Sequence, residues 1–172
     1  STSMAFAAFN LAAGKDVLVA VNATFSNDVS SLSDTAGNTY NRIATGTLNN
    51  SRILSFWLCE NCAANATNVI TVNFSGFQGF SYGYRSTCDG LDASPFDEWA
   101  EGNVTGNSTV TTNLRSLTTN FANEVLFYLA ADEDPGDSGW TPAGGFTSEL
   151  IDSGNVGNLC YKVVNAIQSS VV

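Results

Sequence analysis

The chain contains no histidine, and this absence removes several kinds of chemistry at once. Without an imidazole it cannot form a Ser-His-Asp or Cys-His nucleophile, most catalytic zinc sites or the usual proton shuttle at neutral pH. A pair of carboxyl groups of the glycosidase type remains, and Asp97 with Glu98, or the acidic run at 132–137, would supply one. Neighbouring acids in loops are more often solvated turn residues, so the sequence predicts a protein that is not an enzyme.

Basic residues are scarce as well. Six Lys and Arg stand against sixteen Asp and Glu, which gives a formal net charge of −10. A basic stripe that could displace counterions from phosphates is missing, so nucleic acid is not an expected partner. Attraction to an anionic membrane surface is disfavoured for the same reason. No apolar run in the sequence is long enough to span a bilayer, and membrane insertion is therefore not expected.

The sequence also lacks a starting Met and a signal peptide, since it opens at Ser1. This start predicts a mature protein whose leader has been removed, and therefore an extracellular or cell-surface location. Charged residues make up only 13% of the chain and hydrophobic residues 44%. Ser, Thr, Asn and Gly must then cover much of the surface, as in many secreted β proteins. With 172 residues, one domain over 1–172 can bury a substantial core.

The apolar residues alternate with a period of two almost throughout, which is the pattern of half-buried strands. We predict strands at 16–25, on both sides of a turn at Ala36-Gly37-Asn38, and at 52–58, 68–74, 79–88, 108–119, 123–131, 146–151 and 159–164, with a last one in the C-terminal run. Irregular loops are expected at 89–102 and 132–145, where Pro and Gly interrupt any ladder. About a dozen short strands separated by turns predict an all-β fold, namely an antiparallel β-sandwich of jelly-roll type.

The four cysteines are Cys59, Cys62, Cys88 and Cys160. An even number in a chain of secreted type favours two disulfides, for which three pairings are open. Of these we favour Cys59–Cys62 together with Cys88–Cys160. A structural zinc site would need two close pairs of ligands, and the CENC run, which we expect to follow a strand and enter a turn, is a single close pair.

Two loop regions carry candidate ligand-binding residues. Asp132, Asp134 and Asp137 place hard oxygen ligands on a Gly-containing turn, so calcium is the metal for which the sequence offers a site, although the spacing is not that of an EF-hand loop. Trp99 and Trp140 lie in loop-like sequence and are the candidates for stacking on a sugar. The alternatives are an exposed acidic turn and aromatic rings that belong to the core. No other cofactor is expected.

Triplets of the form Asn-X-Ser/Thr are frequent, as chance alone would produce in a chain so rich in these residues. Their positions are more informative than their number, because several fall in predicted turns from which a glycan could project. The candidates for N-glycosylation are Asn22, Asn49, Asn65, Asn73, Asn103 and Asn107.

The segment SDTAGNTY, residues 33–40, is where a resemblance to known proteins is first recognisable. The order GKDVLVAV, SSLSDTAGNTYNRI, NVITVNFSG, DGLDASPFDEWAEG and GFTSELI resembles a class of secreted β-sandwich modules that recur in large bacterial surface and extracellular proteins. The likeness covers roughly residues 14–165 and rests on turn residues and strand hydrophobics. It implies an extracellular, non-catalytic sandwich and carries over no functional residue.

The same resemblance contains one departure. Such modules usually continue past YKVV into one more long apolar strand, whereas this chain ends at Val172. A fold that lacks its last strand leaves a groove of unpaired backbone, which a strand of another subunit can fill. The short, apolar and uncharged residues 1–10, with Met4, Phe6 and Phe9, would be the donor strand, and 123–131 and 159–172 would line the groove.

We therefore expect a structural subunit of an extracellular, pilus-like filament, whose partners are copies of itself joined head to tail by donor-strand complementation. The main alternative is a carbohydrate-binding or adhesive module with glycans as partners, in which the loop tryptophans and calcium would form the site. A third hypothesis is a coat-type protein, which shares the sandwich but closes its symmetry. Under all three hypotheses the protein is secreted, and we expect it to be glycosylated.

Overall fold

The computed structural model describes residues 1–24, 27–48, 52–79, 81–91, 95–97, 118–131, 144–151 and 157–167. Across these ranges every regular element is a β-strand, and the strand pairings are antiparallel. The prediction of an all-β, antiparallel fold is confirmed. Over the same residues, no helix has the length and apolarity that crossing a membrane would require.

Where the sequence predicts one domain, the chain groups into two compact units, Ser1–Pro95 and Phe96–Val172. The described strands of the second unit are β10 (Glu124–Ala131), β11 (Thr147–Ile151) and β12 (Gly157–Val164). Those of the first unit are β1 (Ser3–Ala5), β2 (Phe9–Leu11), β3 (Lys15–Thr24), β4 (Val29–Asp34), β5 (Asn41–Leu48), β6 (Arg52–Cys62), β7 (Asn65–Asn68), β8 (Ile70–Phe74) and β9 (Tyr82–Cys88).

The strands of the first unit form two larger sheets and a separate pair. In the larger sheet, β3 lies between β6 and β9, and β5 pairs with the far side of β6, which gives the order β5-β6-β3-β9. In the other sheet β8 is central, with β1 on one side and β4 on the other. The short strands β2 and β7 pair with each other.

β3 is the most deeply buried strand, because its sequence is apolar on both faces. Val17, Val19 and Val21 belong to a core that also contains Ile70 and Val72 of β8. One hydrophobic core therefore includes residues of both larger sheets. Burying a side chain of this size contributes about 1.5–3 kcal/mol, so the alternating valines are a main source of stability. The residues between them are buried as well.

The predicted turn at Ala36-Gly37-Asn38 is present, but the strands on its two sides do not pair with each other. Gly37 has a φ of +77°, a left-handed conformation that glycine adopts without strain. Before the turn, β4 pairs with β8, whereas β5 pairs with β6 after it. The turn thus carries the chain from one sheet to the other.

The CENC run lies within a strand, which corrects the prediction that it enters a turn. β6 pairs with β3 as far as Cys62, across a β-bulge in which Asn61 adopts a φ of 49°. The backbone N–H of Asn61 donates a hydrogen bond to Oδ1 of Asp16 at 2.8 Å, so the bulge is held from the neighbouring strand. The bulge accommodates one extra residue of β6, so the ladder continues where the sequence predicts a turn.

In the second unit β12 is the central strand, with β10 and β11 antiparallel on its two sides. The burial of side chains varies along this central strand, since Leu159 is fully buried and Val163 is 72% exposed. These strands confirm those predicted at 123–131, 146–151 and 159–164. The strand predicted at 108–119 lies almost wholly outside the described residues.

Candidate functional site

The first eleven residues occupy an edge of the first unit. β1 pairs with β8 in the register Ser3↔Asn73, Met4↔Val72 and Ala5↔Thr71. Beyond this short ladder, further backbone hydrogen bonds extend the pairing at both ends. The N–H groups of Phe6, Phe74 and Gln78 donate to the carbonyl oxygens of Ile70 at 2.9 Å, Thr2 at 2.9 Å and Ser1 at 2.7 Å, respectively. These main-chain hydrogen bonds do not depend on which side chains the segment carries.

The side chains of this segment contribute to the core. Met4, Phe6 and Phe9 are partly buried and pack against the main hydrophobic cluster of the first unit. Leu11, at the end of β2, is only 1% exposed. The three residues that the sequence analysis selected as donor side chains are thus the ones that cover the core. They do so within their own chain.

β9 faces the segment with a glycine and an arginine on the core side of the larger sheet. Gly83 leaves the space that the tips of Met4 and Phe6 occupy, since a Cβ there would lie 2.6 Å from each of them. The guanidinium carbon of Arg85 lies 3.8 Å from the ring centroid of Phe9, which is a cation–π contact. We call the surface formed by the β8 edge (70–74), Gly83 and Arg85 the docking groove.

The loop between β8 and β9 closes one end of the docking groove. Gln78 is buried, and its Oε1 accepts hydrogen bonds from the backbone N–H of Thr24 at 2.8 Å and from the Thr24 hydroxyl at 2.7 Å. Its Nε2 donates to the carbonyl of Asn27. Because both the oxygen and the nitrogen of the side-chain amide are hydrogen-bonded in this way, the loop that pairs with Ser1 is fixed to the end of β3.

A second set of contacts, at the SDTAGNTY turn, holds the opposite side of β8. Oδ2 of Asp34 accepts hydrogen bonds from Asn38 Nδ2 at 2.8 Å, the Tyr40 hydroxyl at 3.0 Å and Asn68 Nδ2 at 2.9 Å. Burial alone would raise the pKa of Asp34, but these hydrogen bonds outweigh it and the pKa lies below its ordinary value. Burial and the Asp34 carboxylate together raise the pKa of Tyr40. This network is a structural clamp.

One of the two predicted disulfides is present. Cys59 and Cys62 are bonded at the end of β6, which confirms that part of the favoured pairing. Cys88 ends β9 in the first unit, and Cys160 is buried in β12 of the second. Burial raises the pKa of the Cys160 thiol to about 11. The Cys88–Cys160 bond stays a prediction.

The structure corrects one of the glycosylation candidates. Asn22 lies in β3 and is 1% exposed, so the folded chain has no room for a glycan on its amide. Asn65 is half-buried and donates to the hydroxyl of Thr35 at 3.2 Å. Asn73 is half-buried in β8 and donates to the hydroxyl of Ser31 at 3.3 Å. The candidates Asn49, Asn103 and Asn107 lie outside the described residues.

The other ligand-binding candidates lie outside the part of the chain that the structure describes, namely Asp132, Asp134, Asp137, Trp99, Trp140 and Glu98. Within the described ranges, no group of three or more Cys, Asp or Glu side chains is placed to hold a metal ion. The calcium and sugar sites therefore stay predictions.

Asp97 interacts with a carboxyl group that the sequence did not pair with it, that of Glu124. Asn120 donates to Asp97 through its side chain at 2.7 Å and its backbone N–H at 2.9 Å, and these bonds lower the pKa of Asp97. Burial first, and then Asp97 itself, raise the pKa of Glu124. Sequence reasoning missed Glu124 because it is distant along the chain. Two acids whose pKa values diverge are a feature of acid–base pairs, but nothing else described here completes a catalytic site.

The docking groove also differs from the acceptor expected from the sequence. The strands predicted to line it, at 123–131 and 159–172, include β10 and β12, which pair with each other in the second unit. The first segment instead docks against β8 and β9. Gly83 and Arg85 were not singled out from the sequence, although a glycine between two tyrosines in a strand is a known sign of close approach by another chain segment.

No protein family, curated protein or solved structure matches this chain. The resemblance to secreted surface modules therefore stays a prediction.

Proposed function

We propose that this protein is a non-catalytic structural subunit of an extracellular, pilus-like filament, in which residues 1–6 of one copy, the outer part of the predicted donor segment 1–10, fill the docking groove of the next. The observation that carries the proposal is the way the first segment is held. It packs three apolar side chains against the core, while its outer part pairs with the edge of β8 through a short ladder of three residue pairs and a few further backbone hydrogen bonds.

The chemistry of the groove is suited to exchange between identical copies. Main-chain pairing with an open strand edge supplies affinity, and pockets for alternate side chains supply specificity. The same segment offered by a second copy would make the same contacts as the copy's own segment. Exchange of an identical element is a low-cost way to join subunits, and a head-to-tail contact that does not close produces a fibre.

A hinge for this exchange lies between β1 and β2. Ala7 and Ala8 are exposed and lie outside both strands. Alanine side chains make few contacts to lose when the chain straightens. Opening at this point would free Met4 and Phe6 while Leu11 stays buried, so that only the outer half of the segment needs to leave the groove.

The finer architecture belongs to the same proposal. A core that includes residues of two antiparallel sheets supports a β-sandwich of jelly-roll type. The Cys59–Cys62 disulfide and the low content of charged residues support a secreted location, because disulfides persist in oxidising compartments.

The proposal is tested by mixing two full-length variants before assembly. One carries Ser3→Cys and the other Asn73→Cys, at positions that lie opposite each other in the ladder. The pair lies between the hydrogen bonds from Phe74 to Thr2 and from Phe6 to Ile70, and is therefore a non-hydrogen-bonded pair. Side chains approach most closely at such pairs, within the range a disulfide needs.

Exchange predicts a mixed disulfide between the two variants, found as a 3–73 cross-linked peptide by mass spectrometry and concentrated in fibres seen by negative-stain microscopy. The matched control mixes Ser31→Cys with the same Asn73→Cys chain, since Ser31 faces Asn73 from β4, on the other side of β8. That mixture should give no cross-link. Single particles and no 3–73 peptide in the first mixture would show that the segment stays in its own chain.

A further inference from the structure

We infer that Gly83 decides which segment the docking groove admits, namely an extended strand with long, unbranched or planar side chains at the positions of Met4 and Phe6. The inference rests on the proposed strand exchange, because it names the feature of the second copy that the groove recognises. The kind of partner that fits is a second copy of this chain.

Space, and not backbone conformation, is what glycine supplies at position 83. Gly83 is not among the glycines with a left-handed φ, so its backbone could accommodate other residues. A Cβ at this position would lie 2.6 Å from Cε of Met4, 2.6 Å from Cζ of Phe6 and 3.3 Å from its Cε1. The two short distances are well inside van der Waals contact, so any side chain at 83 would displace both tips.

We call the space over Gly83 on the core face of β9 the notch. On this face Val21 lies opposite Gly83 in β3, and Arg85 lies two residues further along β9. The Ser81 hydroxyl lies 3.9 Å from the sulfur of Met4. Side chains two residues apart in a strand point to the same face, so Met4 and Phe6 reach one notch together and are recognised as a pair.

Complementary variants test this matching in the mixing experiment described above, with the same two cysteines. Donor chains keep the natural side chains or carry Met4→Ala with Phe6→Leu, which removes the atoms nearest to the notch. Acceptor chains keep the natural residue or carry Gly83→Ala. A third acceptor carries Gly79→Ala as the matched control, since a Cβ there meets no atom within 4 Å.

We expect Gly83→Ala to lower the yield of mixed disulfide with the natural donor by about tenfold, the scale of overpacking a filled site. The shortened donor should recover most of the lost yield with the Gly83→Ala acceptor, and it should give no gain in yield with the natural or the Gly79→Ala acceptor. With the natural donor, Gly79→Ala should leave the yield unchanged. A general weakening of the fold would lower the yield with both donors alike. Equal yields of the two donors on the Gly83→Ala acceptor would overturn the inference.

A single-chain version separates this inference from the proposed function. If the natural chains give no mixed disulfide, strand exchange is wrong, but matching is still measured within one chain. Gly83→Ala alone should lower the thermal unfolding midpoint or prevent folding, and adding Met4→Ala with Phe6→Leu should recover it. A triple variant no more stable than Gly83→Ala alone would show that Gly83 does not select these side chains.

Discussion

β8 has a neighbour on each side, and the two neighbours are held in different ways. β4 forms five residue pairs with β8 and ends in Asp34, whose carboxylate accepts hydrogen bonds from the turn and from β7. β1 forms three residue pairs, which further backbone hydrogen bonds extend, and has no such clamp in the described part of the chain. Its attachment depends on what Met4 and Phe6 bury. Within one sheet, a polar network therefore holds β4, whereas apolar side chains over a glycine accompany β1, the strand that the proposed exchange would release.

The comparison extends along the first segment itself. Leu11 is among the most buried side chains of the protein, whereas Met4 is only partly buried and reaches across to Gly83. The inner end of the segment thus belongs to the permanent core. The outer end is only partly buried against the core, and it is the part that the proposed exchange would release.

The largest expected effect separates these two ends. Leu11→Ala should destabilise the protein by about 3 kcal/mol, the usual cost of a cavity at a buried leucine, and Met4→Ala by about 1 kcal/mol. Both are measured by urea unfolding of the single protein. Equal losses would mean that the outer end is as much a part of the core as the inner end.

The clamp on the other side of β8 is tested by Asp34→Asn. Loss of charge-assisted hydrogen bonds should cost about 2 kcal/mol at pH 7. Because the pKa of Asp34 in the folded protein lies below its ordinary value, this contribution is present above the unfolded pKa and is lost as the pH falls through the folded one. The difference between the two proteins should therefore shrink below about pH 4.

The control for Asp34→Asn is Asp89→Asn, which removes an exposed carboxylate paired with Lys15. An exposed ion pair contributes about 0–1 kcal/mol. A loss as large as that of Asp34→Asn would show that negative charge in general, and not the clamp, stabilises the fold.

Hydrogen exchange compares the two sides of β8 without any substitution. The Phe6 amide bonds to the carbonyl of Ile70 in the docking groove, and the Thr35 amide bonds to that of Val69 beside the clamp. If the outer segment opens locally, the Phe6 amide should exchange about tenfold faster than the Thr35 amide or more. Equal protection, read by nuclear magnetic resonance, would count against a hinge at Ala7 and Ala8.

The smallest expected effect concerns the arginine of the docking groove. Phe9→Leu keeps an apolar side chain and removes the ring that lies under Arg85. The loss of the cation–π contact should cost about 0.5–1 kcal/mol, measured by urea unfolding. Phe9→Tyr, which keeps the ring, is the control and should cost less. A loss of several kcal/mol in Phe9→Leu would place Phe9 with Leu11 in the permanent core.

Local patterns in the sequence were sufficient for most of the strands and for the turn at Gly37. Strand periodicity depends on which face of each residue is buried, and turn chemistry depends on one glycine and one aspartate, so both are visible in short stretches. The side chains Met4, Phe6 and Phe9, which pack against the core, were also singled out in this way because they lie in a short apolar segment. Their role as donor side chains stays a prediction.

Which strands pair with each other could not be predicted from local sequence patterns. Nothing local in β4 and β5 indicates that the turn between them changes sheets, and nothing in β1 indicates β8 as its partner. Asn22 looks like a glycosylation site in its triplet and is buried only because β6 and β9 flank β3. Asp97 meets Glu124, and Gly83 meets Met4, through contacts between distant parts of the chain.

The sequence by itself determined the all-β class, the strand-like first segment and the absence of histidine chemistry, because these depend on residue types and their spacing. Tertiary structure decided that this segment lies between the β8 edge and the notch at Gly83, and that the SDTAGNTY turn clamps the opposite side. The physical reason is that an edge strand shows only which groups it must bury and pair. Which groove supplies the partner depends on how the whole unit is packed.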